Sequence, residues 1–244
     1  MELNTISSEL RNLFALAVFP GGCFLILLGL SYEWVDRKLL VIVTLYMLSL
    51  LTLCMGLAGA NTLDRFSLIG ATRTLTQLFS YESPFLLALL GPALFSGSWQ
   101  ISEIVASAGG RWLLLSQPVG FLAAMIALMG KLELPPFDAP EAETEIVAGA
   151  LTEYSGRGLA LFRLGKGVEL VVGLTLVSAL YLGGIDDPLT FFIKTLALLV
   201  IIVVIQALLT RLRIDQTVGL WWRYGALLVL LQWFVLILLQ GSAT

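Results

Sequence analysis

The sequence predicts an all-α integral membrane protein, built as a multi-span helical bundle. Of 244 residues, 58% are hydrophobic and only 13% are charged, whereas soluble domains are near 25% charged. The mean hydropathy is +0.94. Several uninterrupted apolar runs reach about 20 residues, the length that a helix needs to cross a bilayer. Because these runs are long and do not alternate between apolar and polar residues, they favour helices over strands.

We predict seven spans in a single transmembrane domain that covers residues 1–244. Each span is an apolar run bounded by charged or turn-forming residues. The runs lie at 13–34, 39–60, 79–97, 112–130, 160–183, 189–210 and 222–240. Prolines such as Pro84 and Pro92 fall inside them, which membrane helices tolerate when neighbouring groups bind the freed carbonyls.

The basic residues assign the loops to sides of the membrane. Cytoplasmic loops carry an excess of Lys and Arg, which predicts a cytoplasmic position for loops 61–78, 131–166 and 211–223. Arg37 and Lys38 break the alternation, because only span 39–60 separates them from Arg65. Either the charge rule fails there or a membrane crossing is absent. We therefore predict a segment missing between residues 38 and 41.

Composition also excludes several kinds of chemistry. The chain has no histidine, and its two cysteines, Cys23 and Cys54, both lie inside apolar runs. These cysteines are typical of small buried residues, with a disulfide or a metal site as the alternative. A net charge of −3 indicates no nucleic-acid partner. We expect no metal site, no cofactor and no catalytic centre in this chain.

The loop at 131–166 concentrates carboxylates. Five fall within a short stretch: Asp138, Glu141, Glu143, Glu145 and Glu153. Pro140 suits the first turn of a helix, and we predict a short helix at about 140–152 on which Glu141 and Glu145 share a face. Acidic residues at a helix N-terminus are often a solvated face. The alternative is a proton or cation relay, because clustered carboxylates titrate as a coupled set.

Three further ionisable residues lie within or at the edge of predicted spans, namely Glu82, Glu169 and Lys194. A charge at membrane depth is costly and often marks an ion pathway, although Glu82 and Lys194 could also extend to the interface. Glu169 lies one helical turn beyond Lys166, which predicts an ion pair between them.

A family resemblance rests on the stretch PPFDAPEAETEIVAGALTEYSG at 135–156. It resembles the signature of the H subunit of NADH-quinone oxidoreductase, the membrane subunit at the junction of the two arms of respiratory complex I. The stretches EWVDRKLL at 33–40 and FSLIGATRTLTQLFSYE at 66–82 are also similar to that family. The resemblance implies eight spans and a surface helix after the first, so it places a gap at the same junction as the charge rule.

The resemblance implies a non-redox membrane subunit of an oxidoreductase complex. Such a subunit couples electron transfer in a peripheral arm to translocation of H⁺ or Na⁺. The implied relay consists of Glu82, Asp138, Glu141, Glu143, Glu145, Glu153 and Glu169. The charge partners are Arg73, Lys166, Lys194 and Arg211. Iron–sulfur clusters, with a nickel–iron centre in hydrogenase-type members, would belong to partner subunits.

Two departures favour one branch of the family. Lys166 stands where quinone-linked members usually carry Glu, and the chain lacks histidine. We therefore expect the branch found in energy-converting membrane-bound nickel–iron hydrogenases and sulfane reductases of prokaryotic cell membranes. Its partners would be hydrogenase large- and small-subunit-like proteins, antiporter-like subunits and small membrane subunits. The alternatives are a quinone-binding subunit of an NADH- or ferredoxin-quinone oxidoreductase and, from another class, a stand-alone ion transporter.

Overall fold

The computed structural model describes residues 40–99, 101–107, 112–184 and 187–241, and no strand occurs among them. Ten α-helices cover most of this part: α1 (Leu40–Ala60), α2 (Arg65–Ser96), α3 (Ile101–Ser107), α4 (Leu113–Ser116), α5 (Pro118–Lys131), α6 (Glu143–Ile146), α7 (Gly156–Tyr181), α8 (Pro188–Leu208), α9 (Ile214–Leu220) and α10 (Ala226–Gly241). A π-helical turn, Trp221–Gly225, joins the last two. The predicted span 13–34 and the junction at Lys38 lie outside the described residues.

Three helical segments of the described chain are long and apolar enough to cross a membrane. They are Arg65–Ser96, Pro188–Leu208 and Ile214–Ile237. The part of α1 at Leu48–Ala60 and the helix Pro118–Lys131 are also apolar, and each is shorter than these three segments. The predicted helical membrane protein is therefore confirmed, whereas the predicted number of seven spans is not. The predicted span 112–130 is divided, because Pro118 begins a new helix at its first position.

The prediction of a loop at 61–78 is wrong, because most of these residues belong to the long helix α2. Asp64 caps this helix, and its carboxylate accepts a hydrogen bond of 3.1 Å from the Ser67 amide. The first turns of α2 carry polar side chains, among them Arg73 and Gln77. These residues lower the mean hydropathy of the segment, so that it does not resemble a membrane span. These side chains instead bind the neighbouring loop, so the helix continues through them.

Two prolines lie inside α2, and one of them creates a contact with α7. Pro92 has no amide N–H, which leaves the carbonyl of Ala88 without its usual helical donor. The hydroxyl of Tyr181, on α7, donates to this carbonyl at 2.5 Å. Tyr181 is buried and also packs edge-on against Phe121 of α5. Tyr181 therefore joins α7 to α2 through the carbonyl that Pro92 leaves free, and to α5 through Phe121.

Buried amide side chains join three helices at the N-terminus of α5. The Gly120 amide donates to the side-chain oxygen of Gln232 at 2.6 Å, and the Gln117 side chain donates to the Gly91 carbonyl at 3.3 Å. The first amides of a helix lack partners within the helix. Gln232, from α10, supplies one of these partners from a distant part of the sequence.

Candidate functional site

The buried side-chain amide of Gln77 holds the acidic loop, which lies between α5 and α7, against α2. The Gln77 side chain donates to the carbonyls of Gly130 and Phe137, at 2.7 and 2.8 Å. One turn earlier, Arg73 donates to the Ala139 carbonyl at 3.2 Å. The polar turns of α2 thus replace the hydrogen bonds that the irregular loop backbone cannot make with itself.

The far end of the loop packs on two glycines. A Cβ on Gly70, in α2, would lie 2.3 Å from the Ala150 amide nitrogen, and a Cβ on Gly59, in α1, would lie 2.7 Å from the Ala150 Cβ. Both distances are shorter than real Cβ contacts allow. The backbone of the 3₁₀ turn Gly149–Leu151 therefore lies directly on α1 and α2.

The predicted helix at 140–152 is replaced by two short turns, α6 and the 3₁₀ turn. Ala142, Val147 and Gly149 have positive φ angles of 32°, 65° and 54°, which interrupt a right-handed helix. Because Glu141 lies before α6, it does not share a helix face with Glu145 as predicted. The last part of the predicted loop is helical, since α7 begins at Gly156.

An outer group of ion pairs joins the loop to α2 and to the connection between α8 and α9. Arg73 Nη1 lies 2.9 Å from Glu145 Oε2, and Arg211 Nη1 lies 3.6 Å from Glu145 Oε1. Arg211 Nε also lies 3.2 Å from Asp138 Oδ1. The hydrogen bond from Arg73, together with the charge of Arg211, lowers the pKa of Glu145. We call these four residues the outer cluster.

An inner group of ion pairs lies where α5 and α7 meet the loop. The Lys166 ammonium binds Glu133 at 2.5 Å and also binds Glu141. Lys131 Nζ lies 3.2 Å from Glu169 Oε1, and both side chains are almost completely buried, at 0% and 4% exposed. We call these five residues the inner cluster.

A cavity of about 660 Å³ lies between the loop and α7. Its polar lining comes from both clusters and from the exposed Glu143, and Leu132, Leu134 and Leu170 contribute apolar surface. Arg211 lines this cavity and a second one of about 440 Å³ that contains Arg73 and Glu145. The carboxylates that line this cavity therefore range from the exposed Glu143 to the buried Glu133, and the Lys131–Glu169 pair lies outside its lining.

Comparisons with known proteins decide the family. A sequence model described as NADH dehydrogenase matches residues 6–237. The chain belongs to this family. The resemblance to the H subunit of NADH-quinone oxidoreductase, predicted from the motif at 135–156, is confirmed.

Two relatives show the extent of the similarity. The NADH-quinone oxidoreductase H subunit of Carboxydothermus hydrogenoformans is 35% identical over 198 residues, which are 78% of this chain and 57% of the relative. The corresponding H subunit 2 of Geobacter sulfurreducens is 35% identical over 222 residues, which are 88% of this chain and 68% of the relative. The chain thus spans little more than half the length of the first relative. Both relatives are named as subunits of oxidoreductases.

A solved structure has a similar fold. It is a chain of the membrane-bound sulfane sulfur reductase, an archaeal respiratory membrane complex. The TM-score is 0.83 at 21% sequence identity, with 93% of this chain and 79% of that chain covered. At this identity the likeness extends to the fold alone.

The predicted pairing of Lys166 with Glu169 is wrong. Although the two residues are one turn apart, Glu169 pairs with Lys131 of α5, and Lys166 pairs with Glu133 and Glu141 of the loop. The partners approach across the packed helices, and Lys131 also lies over the ring of Tyr81 at 5.6 Å. Contacts between elements therefore override the local spacing on α7.

The remaining predicted residues of this family member are not among the nine residues of the two clusters. Glu82 is half-buried on α2, next to the buried Tyr81, whose hydroxyl lies 3.4 Å from Thr52 Oγ1. Glu153 is exposed near the start of α7. Lys194 is half-buried on α8, and no ion pair involving it occurs among the residues that the structure describes.

Three residues of the site escaped prediction: Lys131, Glu133 and Gln77. Lys131 and Glu133 directly follow an apolar run and precede Pro135. That position is also typical of charges at a membrane surface, so the sequence does not separate them from a solvated loop edge. Gln77 lies in the stretch predicted as a loop. Two signals could have indicated its role: its place beside an apolar run, and its position in the stretch at 66–82 that is similar to the family.

Proposed function

We propose that this chain is the non-redox membrane subunit that couples electron transfer in a peripheral arm to ion translocation. The observation that carries the proposal is the order of its charges. Carboxylates and their basic partners form two adjoining clusters, and burial increases from the exposed Glu145 to the Lys131–Glu169 pair. Family membership supports assigning these charges to a coupling role.

The coupling would work through charge. A new charge or a moved side chain at the exposed edge changes the electrostatic potential at Glu145 and Asp138. Because Arg211 binds both of these carboxylates and also lines the cavity of the inner cluster, it transmits that change. Protonation within a coupled set of carboxylates then shifts, and a proton moves between them.

We also infer the orientation and the surroundings of the chain. The loop would face the cytoplasm of a prokaryotic cell, in the inner or plasma membrane. The exposed Arg157, Arg163 and Arg213 lie at the same end of the helices as the loop, which fits the positive-inside rule. The complete bundle would have eight spans, with one contributed by a segment after residue 38. A natural polypeptide of only 26.5 kDa would contradict this part of the proposal.

The proposed partners are redox subunits of the hydrogenase large- and small-subunit type, antiporter-like subunits and small membrane subunits. Iron–sulfur clusters, and in a hydrogenase a nickel–iron centre, would be held by the redox subunits. Purification of the tagged chain from its native membrane tests this class. Iron-containing subunits should co-purify with it, whereas a stand-alone transporter would purify without them.

A quinone-binding subunit is the second candidate, because the curated relatives are named NADH-quinone oxidoreductase subunits. The cavity would admit a quinone ring against Leu134 and Leu170, with Lys166 as one of the two cationic donors in its lining. That ammonium already binds Glu133 and Glu141, which favours the hydrogenase or sulfane-reductase branch. Reduction of a soluble quinone analogue by the purified complex would reverse this preference.

A further inference from the structure

The two clusters differ in charge balance. In the outer cluster, Arg73 and Arg211 balance the carboxylates of Asp138 and Glu145. The inner cluster has two ammonium groups, Lys131 and Lys166, but three carboxylates, Glu133, Glu141 and Glu169. Full ionisation would leave one uncompensated negative charge among mostly buried side chains, which is energetically expensive. The inner cluster is electrically neutral when one of its three carboxyl groups is protonated.

Lys166 is the member of this cluster that contacts two carboxylates of different exposure. The Glu133 side chain is 2% exposed, whereas that of Glu141 is 41% exposed. Lys131, by contrast, is fully buried and pairs with Glu169. One ammonium group therefore lies between an exposed carboxylate and a buried one, both of which line the same cavity.

Glu133 also has an unused acceptor on the buried side. Its Oε2 binds Lys166, and its Oε1 is buried without a hydrogen-bond partner in the described part of the chain. Glu133 lines the same cavity as Glu141, Lys166 and Arg211. A buried acceptor without a partner is unfavourable unless water or a proton occupies it.

We propose that Lys166 is a positioning residue that moves its ion pair between Glu133 and Glu141 as one proton moves between these carboxylates. When Glu141 carries the proton, Lys166 pairs with the carboxylate of Glu133. When the proton leaves the Glu141 carboxyl oxygen and binds Glu133 Oε1, the ammonium pairs with the carboxylate of Glu141. Total charge is unchanged, so the transfer needs no further ion. The inference rests on the proposed coupling function and adds Glu133 to its path.

Infrared spectroscopy of the purified complex tests the charge balance directly. If one of its three carboxyl groups is protonated, as the charge balance requires, the inner cluster should contribute one protonated-carboxyl C=O band. Glu133→Gln balances the cluster and should remove that band, whereas Lys166→Met should add a second band of similar intensity. Glu103→Gln and Arg163→Met, both at exposed positions away from the cavity lining, are the controls. A band that persists in Glu133→Gln overturns the inference.

Ion transport in liposomes that contain the complex shows whether Lys166 positions the carboxylates for proton transfer or only supports the structure. Glu133→Gln should lower ions moved per electron by about tenfold or more, since positioned proton-transfer groups contribute roughly 10²–10⁴-fold. Lys166→Arg keeps the charge, but the rigid, planar guanidinium holds the two carboxylates in a fixed geometry, whereas the native ammonium binds them through freely rotating N–H donors. It should assemble normally and transport poorly, and full transport by this variant would overturn the inference.

Transport and infrared measurements on Glu133→Gln and Glu141→Gln distinguish the switching role of Lys166 from the coupling function of the loop. If Glu141→Gln lowers transport while Glu133→Gln changes neither transport nor the infrared band, only the switching role of Lys166 and Glu133 falls. If no acidic-loop variant alters transport, the proposed coupling function falls, and this inference falls with it.

Discussion

Lys131 Nζ lies 3.2 Å from Glu169 Oε1, and this ion pair joins α5 to α7 in the protein interior. Its partners are 0% and 4% exposed, so neither charge is solvated by bulk water. Buried pairs of this kind contribute little when intact, because desolvation offsets their attraction. Loss of one partner is far more damaging than loss of both.

Lys131→Met should therefore destabilise the protein strongly. It leaves Glu169 buried without its cation, a change that costs about 3–5 kcal/mol. The double variant Lys131→Met/Glu169→Leu should recover most of this free energy of unfolding. Reversible unfolding in mixed detergent micelles measures all of these variants, with Lys194→Met as the control. Equal destabilisation in the single and double variants would contradict the pairing.

Gln77→Leu should release the acidic loop from α2. The carbonyls of Gly130 and Phe137 would lose their donor, and each unsatisfied buried group costs about 1–3 kcal/mol. Amide hydrogen exchange in residues 130–142 should accelerate, and proteases should cut the loop faster. Gln206→Leu, on the half-buried face of α8, is the matched control and should leave loop exchange unchanged.

Gly70→Ala should displace the 3₁₀ turn, because the new Cβ would lie 2.3 Å from the Ala150 amide nitrogen. The same substitution at Gly219 meets no atom within 4 Å. There it should leave stability unchanged or raise it by about 0.4–1 kcal/mol through reduced unfolded-state entropy. Thermal unfolding of the two variants makes the comparison. Similar behaviour would contradict the close packing of the loop on α2.

Acid should weaken the attachment of the loop at Glu145. The hydrogen bond from Arg73 lowers the pKa of Glu145 below its ordinary value of 4.5. A group with a lowered folded-state pKa stabilises the fold above its unfolded pKa, and this contribution is lost as the pH falls through the folded pKa. Arg73→Met should shift the titration of Glu145 upward. Carbon NMR of labelled glutamate measures the titration, and an unchanged midpoint would contradict the assigned cause.

The long apolar helices followed directly from the sequence. The predicted span 189–210 and the helix Pro188–Leu208 differ by two residues or fewer at each end, because uniform apolarity and Pro188 define both limits. The acidic loop was also found, since five carboxylates interrupt an apolar chain. Such features depend on neighbouring residues, which sequence patterns report well.

The pairing of charges depends on packing and was not predictable in the same way. Spacing on α7 brings Lys166 and Glu169 one turn apart, but their partners come from α5 and from the loop. Likewise, α2 continues through Arg73 and Gln77 because the loop backbone binds their side chains. A hydropathy pattern does not indicate that a polar residue binds a partner 50 or more positions away in the sequence.

The central claim is that the acidic loop couples redox chemistry to ion movement. The most direct test is the number of ions moved per electron transferred, measured for the complex in sealed liposomes with Glu141→Gln and the control Glu103→Gln. Because Glu141 is 41% exposed and Lys166 retains Glu133, the variant should fold and assemble. We predict electron transfer near the wild-type rate and an ion-to-electron ratio lower by about tenfold or more. An unchanged ratio would contradict the account.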